Sequence, residues 1–328
     1  MPFIARCLLL LGCTFACSKP DAVPGDLVFT GMCDASAGVP LDTRTFLVAD
    51  DEDNVLRAYD ALAPGAPLWS VDVSAPIGVS PKPAKPGKGP PETDIEAATR
   101  LGDLALWMTS HGRNSSGKLK RERLKLFATR LPKAGAPLAV SGQAYEHLLD
   151  DLLAEPQLAR FGLKQAAELA PKAPGGLNLE GMTARREGGV WIGFRNPIPE
   201  GKALLVPLLN PERVLSGEKA TFGVPISLDL GGRGVRAISS HRDRYLILAG
   251  SFDSGDSSKL YSWDGVGRAN LVADRQLAGL NPEGFFTPPG GARVLLLSDD
   301  GSVLIDGTEC KRLSDPSKKR FRARFVKL

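Results

Sequence analysis

Histidine is nearly missing from this 328-residue chain: only His111, His147 and His241 occur, and they do not cluster with one another or with cysteine. That scarcity argues against zinc, which takes nitrogen and sulfur ligands. No Gly-x-Ser-x-Gly elbow and no His-Glu-x-x-His helix is present, so the two commonest hydrolase signatures are excluded. Excess charge is also missing. Forty-one Lys and Arg against 37 Asp and Glu leave a net charge of +4, too little to argue for nucleic acid as a partner. The apolar run Cys7 to Ala16 falls well short of the roughly 20 residues a bilayer-spanning helix needs. Gly112-Arg113-Asn114-Ser115-Ser116-Gly117-Lys118 imitates a phosphate-binding loop, but Leu119 stands where Ser or Thr is required and a strand follows instead of a helix.

The first 16 residues read as a secretory signal, with one positive charge in Met1 to Arg6, an apolar centre, and Ala16-Cys17-Ser18 at its end. This ending resembles a bacterial lipoprotein signal. Cys17 is the lipidation candidate, with Cys13 of Leu10-Leu11-Gly12-Cys13 as the alternative. Residues 17–26 are then an anchor and linker, and Ser18 after the anchor implies the outer membrane, with the domain on its periplasmic or surface side.

With 43% hydrophobic residues, 36 Gly and 26 Pro, the rest of the chain can bury a large core while turning often. A short pattern recurs in it. Asp94-Ile95-Glu96-Ala97, Asn178-Leu179-Glu180-Gly181 and Asn281-Pro282-Glu283-Gly284 are each followed by an apolar run that closes 14 residues after the Glu, at positions 110, 194 and 297. Val235-Arg236-Ala237 and Cys33-Asp34-Ala35 are weaker copies. Within each unit the motif opens a first strand and the apolar run is a second. Third strands are expected at Val55 to Tyr59, Leu124 to Thr129, Ala203 to Leu208, Leu260 to Trp263 and Ser302 to Ile305, and fourth strands at Leu68 to Val73, Ile226 to Leu230 and Asn270 to Ala273. Four short antiparallel strands per repeat predict an all-β fold, a β-propeller of about five blades over residues 27–328. Either Leu27 to Thr30 or Phe321 to Val326 supplies the closing outer strand.

Two insertions interrupt the repeat. Ser80 to Glu92, rich in Pro, Lys and Gly, reads as a solvated spacer. Over about 143–170, Tyr145, Leu148, Leu149, Leu152 and Leu153 fall at helical spacing and predict a stripe packed on the propeller rim, with a second short helix from Pro156 towards Leu169. The alternating Arg320, Arg322 and Arg324 predict a strand whose basic face guards a sheet edge. Cys33 and Cys310 are the cysteine pair of the mature body; the strand assignment puts Cys33 at the start of an inner strand and Cys310 after the Asp306-Gly307 turn at the opposite end of a blade, which argues against a bond between them.

In an antiparallel blade the start of the first strand and the end of the second share an edge, so the motifs and the residues closing the apolar runs must lie on one face. Glu96, Glu180, Glu283, Asn178 and Asn281 are therefore candidate oxygen ligands for Ca²⁺ or Mg²⁺ at the channel mouth. Arg113, Asn114, Arg195, Asn196 and Arg236 are candidate contacts for a small anionic ligand. The same residues would also serve as mutual charge partners with no ligand at all. His111 is the one histidine on this face and the one candidate for proton transfer; His147 and His241 read as surface residues.

The segments Phe29 to Ser36, Ser110 to Asn114, Gly176 to Met182, Gly193 to Pro197 and Leu228 to Gly234 together resemble a bacterial family catalogued only as a domain of unknown function, over nearly the whole mature chain. The Asn-x-Glu-Gly element is also similar to that of the esterase-like phytase propellers and, more distantly, of gluconolactonase-type propellers. That resemblance implies a divalent cation in the central channel, with Glu180 and Glu283 as its carboxylates. The expected function is that of a lipid-anchored extracytoplasmic propeller that binds a small anionic ligand, a metal or an envelope protein at its channel mouth. The alternative is a divalent-metal-dependent hydrolase of phosphate esters or lactones.

Overall fold

The computed structural model describes residues 25–80, 82, 90–132, 137–255, 258–273 and 275–328. Cys13, Cys17 and most of the 80–92 spacer lie outside the described residues. The chain enters through β1 (Asp26–Thr30). Blade one follows as β2 (Ala35–Pro40), β3 (Thr45–Asp50), β4 (Val55–Asp60) and β5 (Trp69–Asp72). Blade two is β6 (Ile95–Leu101), β7 (Leu104–Thr109), β8 (Leu126–Arg130) and β9 (Ala139–Tyr145). Blade three is β10 (Asn178–Ala184), β11 (Val190–Asn196), β12 (Ala203–Leu208) and β13 (Ile226–Leu228), and blade four is β14 (Gly234–His241), β15 (Arg244–Gly250), β16 (Lys259–Trp263) and β17 (Asn270–Ala273). Blade five begins with β18 (Pro282–Phe286) and β19 (Arg293–Ser298), passes through a hairpin of β20 (Leu304–Ile305) and β21 (Thr308–Glu309), and is completed by β22 (Arg320–Lys327) with β1 outside it. The protein is a five-bladed propeller.

Ring closure settles several expectations. Both candidate closing segments are used, β22 as the third strand of blade five and β1 as its outer strand, so the first and last segments of the domain share one sheet. Ser302 to Ile305 is not a third strand; it belongs to the small hairpin that leaves the blade after β19 and returns to it as β22. Nor does the basic strand guard an edge. It lies between β19 and β1, and Arg322 and Arg324 pair with Asp300 and Asp26. Cys33 and Cys310 form a disulfide, with 5.9 Å between their Cα atoms. The opposite placement failed because the hairpin projects from the end of β19, and by the antiparallel rule that end lies beside the start of β2. The Asp300 N–H donates to the Cys33 carbonyl across this junction.

Every second strand is apolar through its middle because it is covered on both sides. Leu47 and Ala49 of β3 face the core shared with blade two, whereas Phe46 and Val48 face the core shared with blade five. Trp107 of β7 faces blade one while Leu106 and Met108 face blade three. Burying both faces of each sheet is what forces the ring to close. The helical insertion follows β9 as α1 (Leu148–Ala154), a 3₁₀ turn over Pro156–Phe161 and α2 (Leu163–Ala166), a shorter second helix than expected. Leu148, Leu149 and Leu152 extend the core between blades two and three, as the leucine spacing predicts. A last short helix, α3 (Pro211–Val214), follows β12.

Candidate functional site at the channel mouth

Each of the five inner strands carries a β-bulge at the same place, one residue after its start or nearly so. The unpaired residues are Ser36, Glu96, Glu180, Arg236 and Glu283. A bulge sets two residues against one and re-aims a side chain. Here it puts one polar residue per blade at the neck of the central channel, where Ser36, Glu96 and Glu180 line the remaining space of about 10 Å³. The next residue is small in all five blades: Ala37, Ala97, Gly181, Ala237 and Gly284. The reason is close approach of the neighbouring inner strand. A Cβ on Gly181 would lie 2.7 Å from a methyl group of Val235, and one on Gly284 would lie 2.7 Å from the Ser36 carbonyl oxygen. The recurrent Glu-Gly and Glu-Ala pairs thus combine a bulge with a contact that tolerates no bulk.

The ring is electrostatically divided. On the side of blades three to five Glu180 and Glu283 have cationic partners. Arg195 Nη1 donates to Glu180 Oε1 at 2.6 Å, and Arg195 continues to the Ser251 carbonyl and the Ser254 hydroxyl. Asn178 Nδ2 donates to the same Glu180 oxygen at 2.6 Å. Burial raises the Glu180 carboxyl above its ordinary value, and the Arg195 guanidinium offsets part of that shift. Arg236 Nη1 donates to Glu283 Oε1 at 2.8 Å and to Asn281 Oδ1 at 3.2 Å. Four of the five candidate metal ligands, Asn178, Glu180, Asn281 and Glu283, are therefore tied to one another or to arginine.

On the side of blades one and two the carboxylates crowd together instead. Asp34, Asp50 and Asp51 bring oxygen atoms within 4.8 Å of one another, and so do Asp51, Asp94 and Glu96. Asp51 is common to both triads, and its Oδ1 is buried with no hydrogen-bond partner among the described residues. Asp94 pairs with Arg123, its Oδ2 lying 2.5 Å from Nη1, but neither Asp51 nor Glu96 makes an ion pair among the described residues. Burial, reinforced by Asp50 and Asp299, pushes the Asp34 carboxyl up to about 9. Burial, reinforced by Asp53, pushes Asp50 up to about 7. Asp51 and Glu96 are raised well above their ordinary values, by burial first and then by repulsion, from Glu96 and Asp50 for Asp51 and from Glu180 and Asp94 for Glu96. Lysine 311, placed by the Cys310 disulfide, approaches from the rim and pairs with Glu52 at 3.1 Å.

The remaining candidates have other partners. Arg113 does not reach the channel; its Nε donates to the Ala167 carbonyl at 2.8 Å and its Nη2 pairs with Glu168, fixing the tail of the helical insertion. Asn114 Oδ1 accepts the Ser116 and Lys118 N–H groups and so closes a turn. Asn196 Nδ2 donates to the Pro171 and Ala173 carbonyls, both at 2.8 Å, and the Asn196–Pro197 peptide is cis. His111 is fully enclosed, with Nδ1 2.7 Å from the Thr109 carbonyl and with burial lowering its imidazole to about 4, so it is neutral and sealed from water. His147 is exposed as expected, whereas His241 is buried beside the Thr287 hydroxyl at 3.1 Å.

Part of the chain is similar to a family of unknown function, the kind of family expected from the sequence. Residues 118–279 match the family Protein of unknown function (DUF3616). The matched stretch runs from the loop before β8 to the segment after β17, a narrower span than the near-complete coverage expected. No curated protein matches the chain. Among solved structures the chain is similar to glutaminyl cyclase of Myxococcus xanthus, at 11% identity over 92% of this chain and 95% of that one, with a TM-score of 0.47. It is also similar to virginiamycin B lyase of Staphylococcus aureus, at 8% identity over 84% and 68% of the two chains, with a TM-score of 0.36.

The crowded carboxylates that the sequence analysis did not single out as candidate ligands are Asp34, Asp50, Asp51 and Asp94. Their signal was present in Asp50-Asp51-Glu52-Asp53, which closes the first apolar run, and in the Asp two residues before Glu96.

Proposed function

We propose that this propeller is a binding module that takes a divalent cation, Ca²⁺ before Mg²⁺, at the mouth of its channel between blades one and two. Asp51 is the central ligand, with Asp94 and Glu96 on one side and Asp34 and Asp50 on the other. One observation carries the reading: two carboxylate triads share Asp51, one of whose oxygens is buried with no partner among the described residues. Carboxylates so close together destabilise one another unless protons or a cation intervene. Ca²⁺ accepts six to eight oxygens in irregular geometry, whereas Mg²⁺ demands a near-ideal octahedron, and a cluster drawn from three separate chain segments suits the former. The bound cation would in turn hold a small anionic ligand or an acidic group of an envelope partner.

Export and lipid attachment through Cys17, or Cys13, complete the proposal. Their support is the signal sequence and the buried Cys33–Cys310 disulfide, since such bonds persist in oxidising compartments. A metal-dependent hydrolase of phosphate esters or lactones would use the same carboxylates. It would need metal-bound water for proton transfer, because His111 is enclosed and neutral. Calorimetric titration of Ca²⁺ and Mg²⁺ into chelator-treated protein tests the reading. Saturable uptake of one or two Ca²⁺ per chain, tighter than Mg²⁺ and lost in Asp51→Asn, is expected; no uptake, or uptake unaffected by the substitution, overturns it.

A further inference from the structure

The opposite mouth of the channel is chemically unlike the acidic one. A cavity of about 200 Å³ opens there, lined by the far ends of all five inner strands. None of its lining residues is an Asp or Glu; its polar groups are hydroxyls and Arg100, and Phe285 and Phe286 give it an aromatic wall. Two of the hydroxyls are preset as donors. Thr99 Oγ1 accepts the Ala184 N–H at 3.1 Å and Thr183 Oγ1 accepts the Ser240 N–H at 3.1 Å, so each is held across a blade junction with its own proton left to give. Arg100 is steadied by the Leu41 and Gly102 carbonyls through Nη1 and Nε, and its Nη2 has no partner among the described residues. Donors without an opposing carboxylate, beside an aromatic wall, select an acceptor-rich anion attached to an apolar body.

Size narrows the class. An apolar cavity of about 150 Å³ takes up a benzene ring in a well-studied engineered case, so the space here holds one six-membered ring and a single charged substituent. The neck beyond it, about 10 Å³, admits roughly one water, which keeps such a ligand out of the acidic mouth.

We infer that this second mouth is a binding site for a small ring-bearing organic anion, a carboxylate or phosphate monoester, held by Arg100, Thr99 and Thr183 against Phe285 and Phe286. The site is independent of the cation site, being separated from it by the neck.

Titration of benzoate into the full-length protein, followed calorimetrically and by saturation-transfer NMR, tests this, with benzyl alcohol as the uncharged probe of the same ring. Benzoate is expected to bind at one site per chain in the millimolar range or tighter. Arg100→Gln, a change at an exposed side chain, should weaken it about tenfold, to the level of benzyl alcohol. Ser239→Trp, which fills the mouth, should abolish it, and Asp51→Asn should leave it unchanged. Absence of saturable benzoate binding to the parent protein, or equal binding by Arg100→Gln, overturns the inference.

Discussion

Arg195 and Glu180 form an ion pair 2.6 Å apart in which each side chain retains only 3% of its exposure. The pair decides how the channel mouth is read. Glu180 and Glu283 each pair with an arginine, whereas Asp51 and Glu96 have no ion pair among the described residues, and this asymmetry is why the cation is proposed for the half of the ring that holds them.

Breaking this pair from one side is expected to be costly. Removing one member of a buried ion pair typically costs about 3–5 kcal/mol, because the other charge is left without compensation. Arg195 keeps its contacts to Ser251 and Ser254, so Glu180→Gln should fall near the lower end. Urea unfolding of Glu180→Gln, Arg195→Gln and the double variant checks this. The double variant should be more stable than the sum of the single losses predicts, with a coupling of about 1–3 kcal/mol.

The acidic half predicts an inverted pH dependence. Asp50 is raised by burial from 3.8 to about 7, and Asp94 and Asp299 from 3.8 to about 6, each by burial first. The folded protein therefore binds more protons than the unfolded chain from about pH 4 through pH 7 and, with Asp34 raised to about 9, beyond it. The favourable contribution is present below the unfolded value and lost as pH rises through the folded ones. Chelator-treated protein should thus melt at a higher temperature at pH 5 than at pH 7.5, and saturating Ca²⁺ should flatten the difference. Calorimetric melting at the two pH values, with and without Ca²⁺, measures it.

The disulfide fastens the same region. Cys33 precedes Asp34, Cys310 precedes Lys311, and the bond joins positions 277 residues apart at the junction of blades one and five. Losing a native disulfide typically costs about 2–5 kcal/mol. The paired β1 and β22 strands remain as a second latch, so Cys33→Ala with Cys310→Ala should fold but lose stability within that range. A drop in Ca²⁺ affinity should accompany it, because Asp34 is packed against Gly301 of the tethered segment. Melting and Ca²⁺ titration of the double variant give both numbers.

Much of this architecture is legible in the residues themselves. The constant spacing from Glu96, Glu180, Glu283 and Arg236 to the ends of their apolar runs marks four inner strands, and small residues follow each. The fifth copy is weaker because Ser36 stands where the others have a charge, although Asp50 closes its run 14 residues later. What local pattern cannot supply is the excursion in blade five. Ser302 to Ile305 looks like a strand in sequence, yet the ring already has two better candidates for that sheet in β22 and β1, and these win by burying Phe321 and Phe29 against Phe46 and Tyr59. Charge partnership is equally invisible along the chain. Glu96 and Glu180 sit in matching motifs, but only the folded ring gives Arg195 to one and Asp51 to the other.

Thermal unfolding of the parent protein, Asp51→Asn and Glu180→Gln, each with chelator and with millimolar Ca²⁺, tests the cation site most directly. A ligand that binds only the folded state raises the melting temperature by mass action. Ca²⁺ should stabilise the parent and the less stable Glu180→Gln variant alike, and leave Asp51→Asn unmoved. A parent protein indifferent to Ca²⁺, or an Asp51→Asn variant that responds as fully as the parent, would contradict the assignment of the acidic mouth as a metal site.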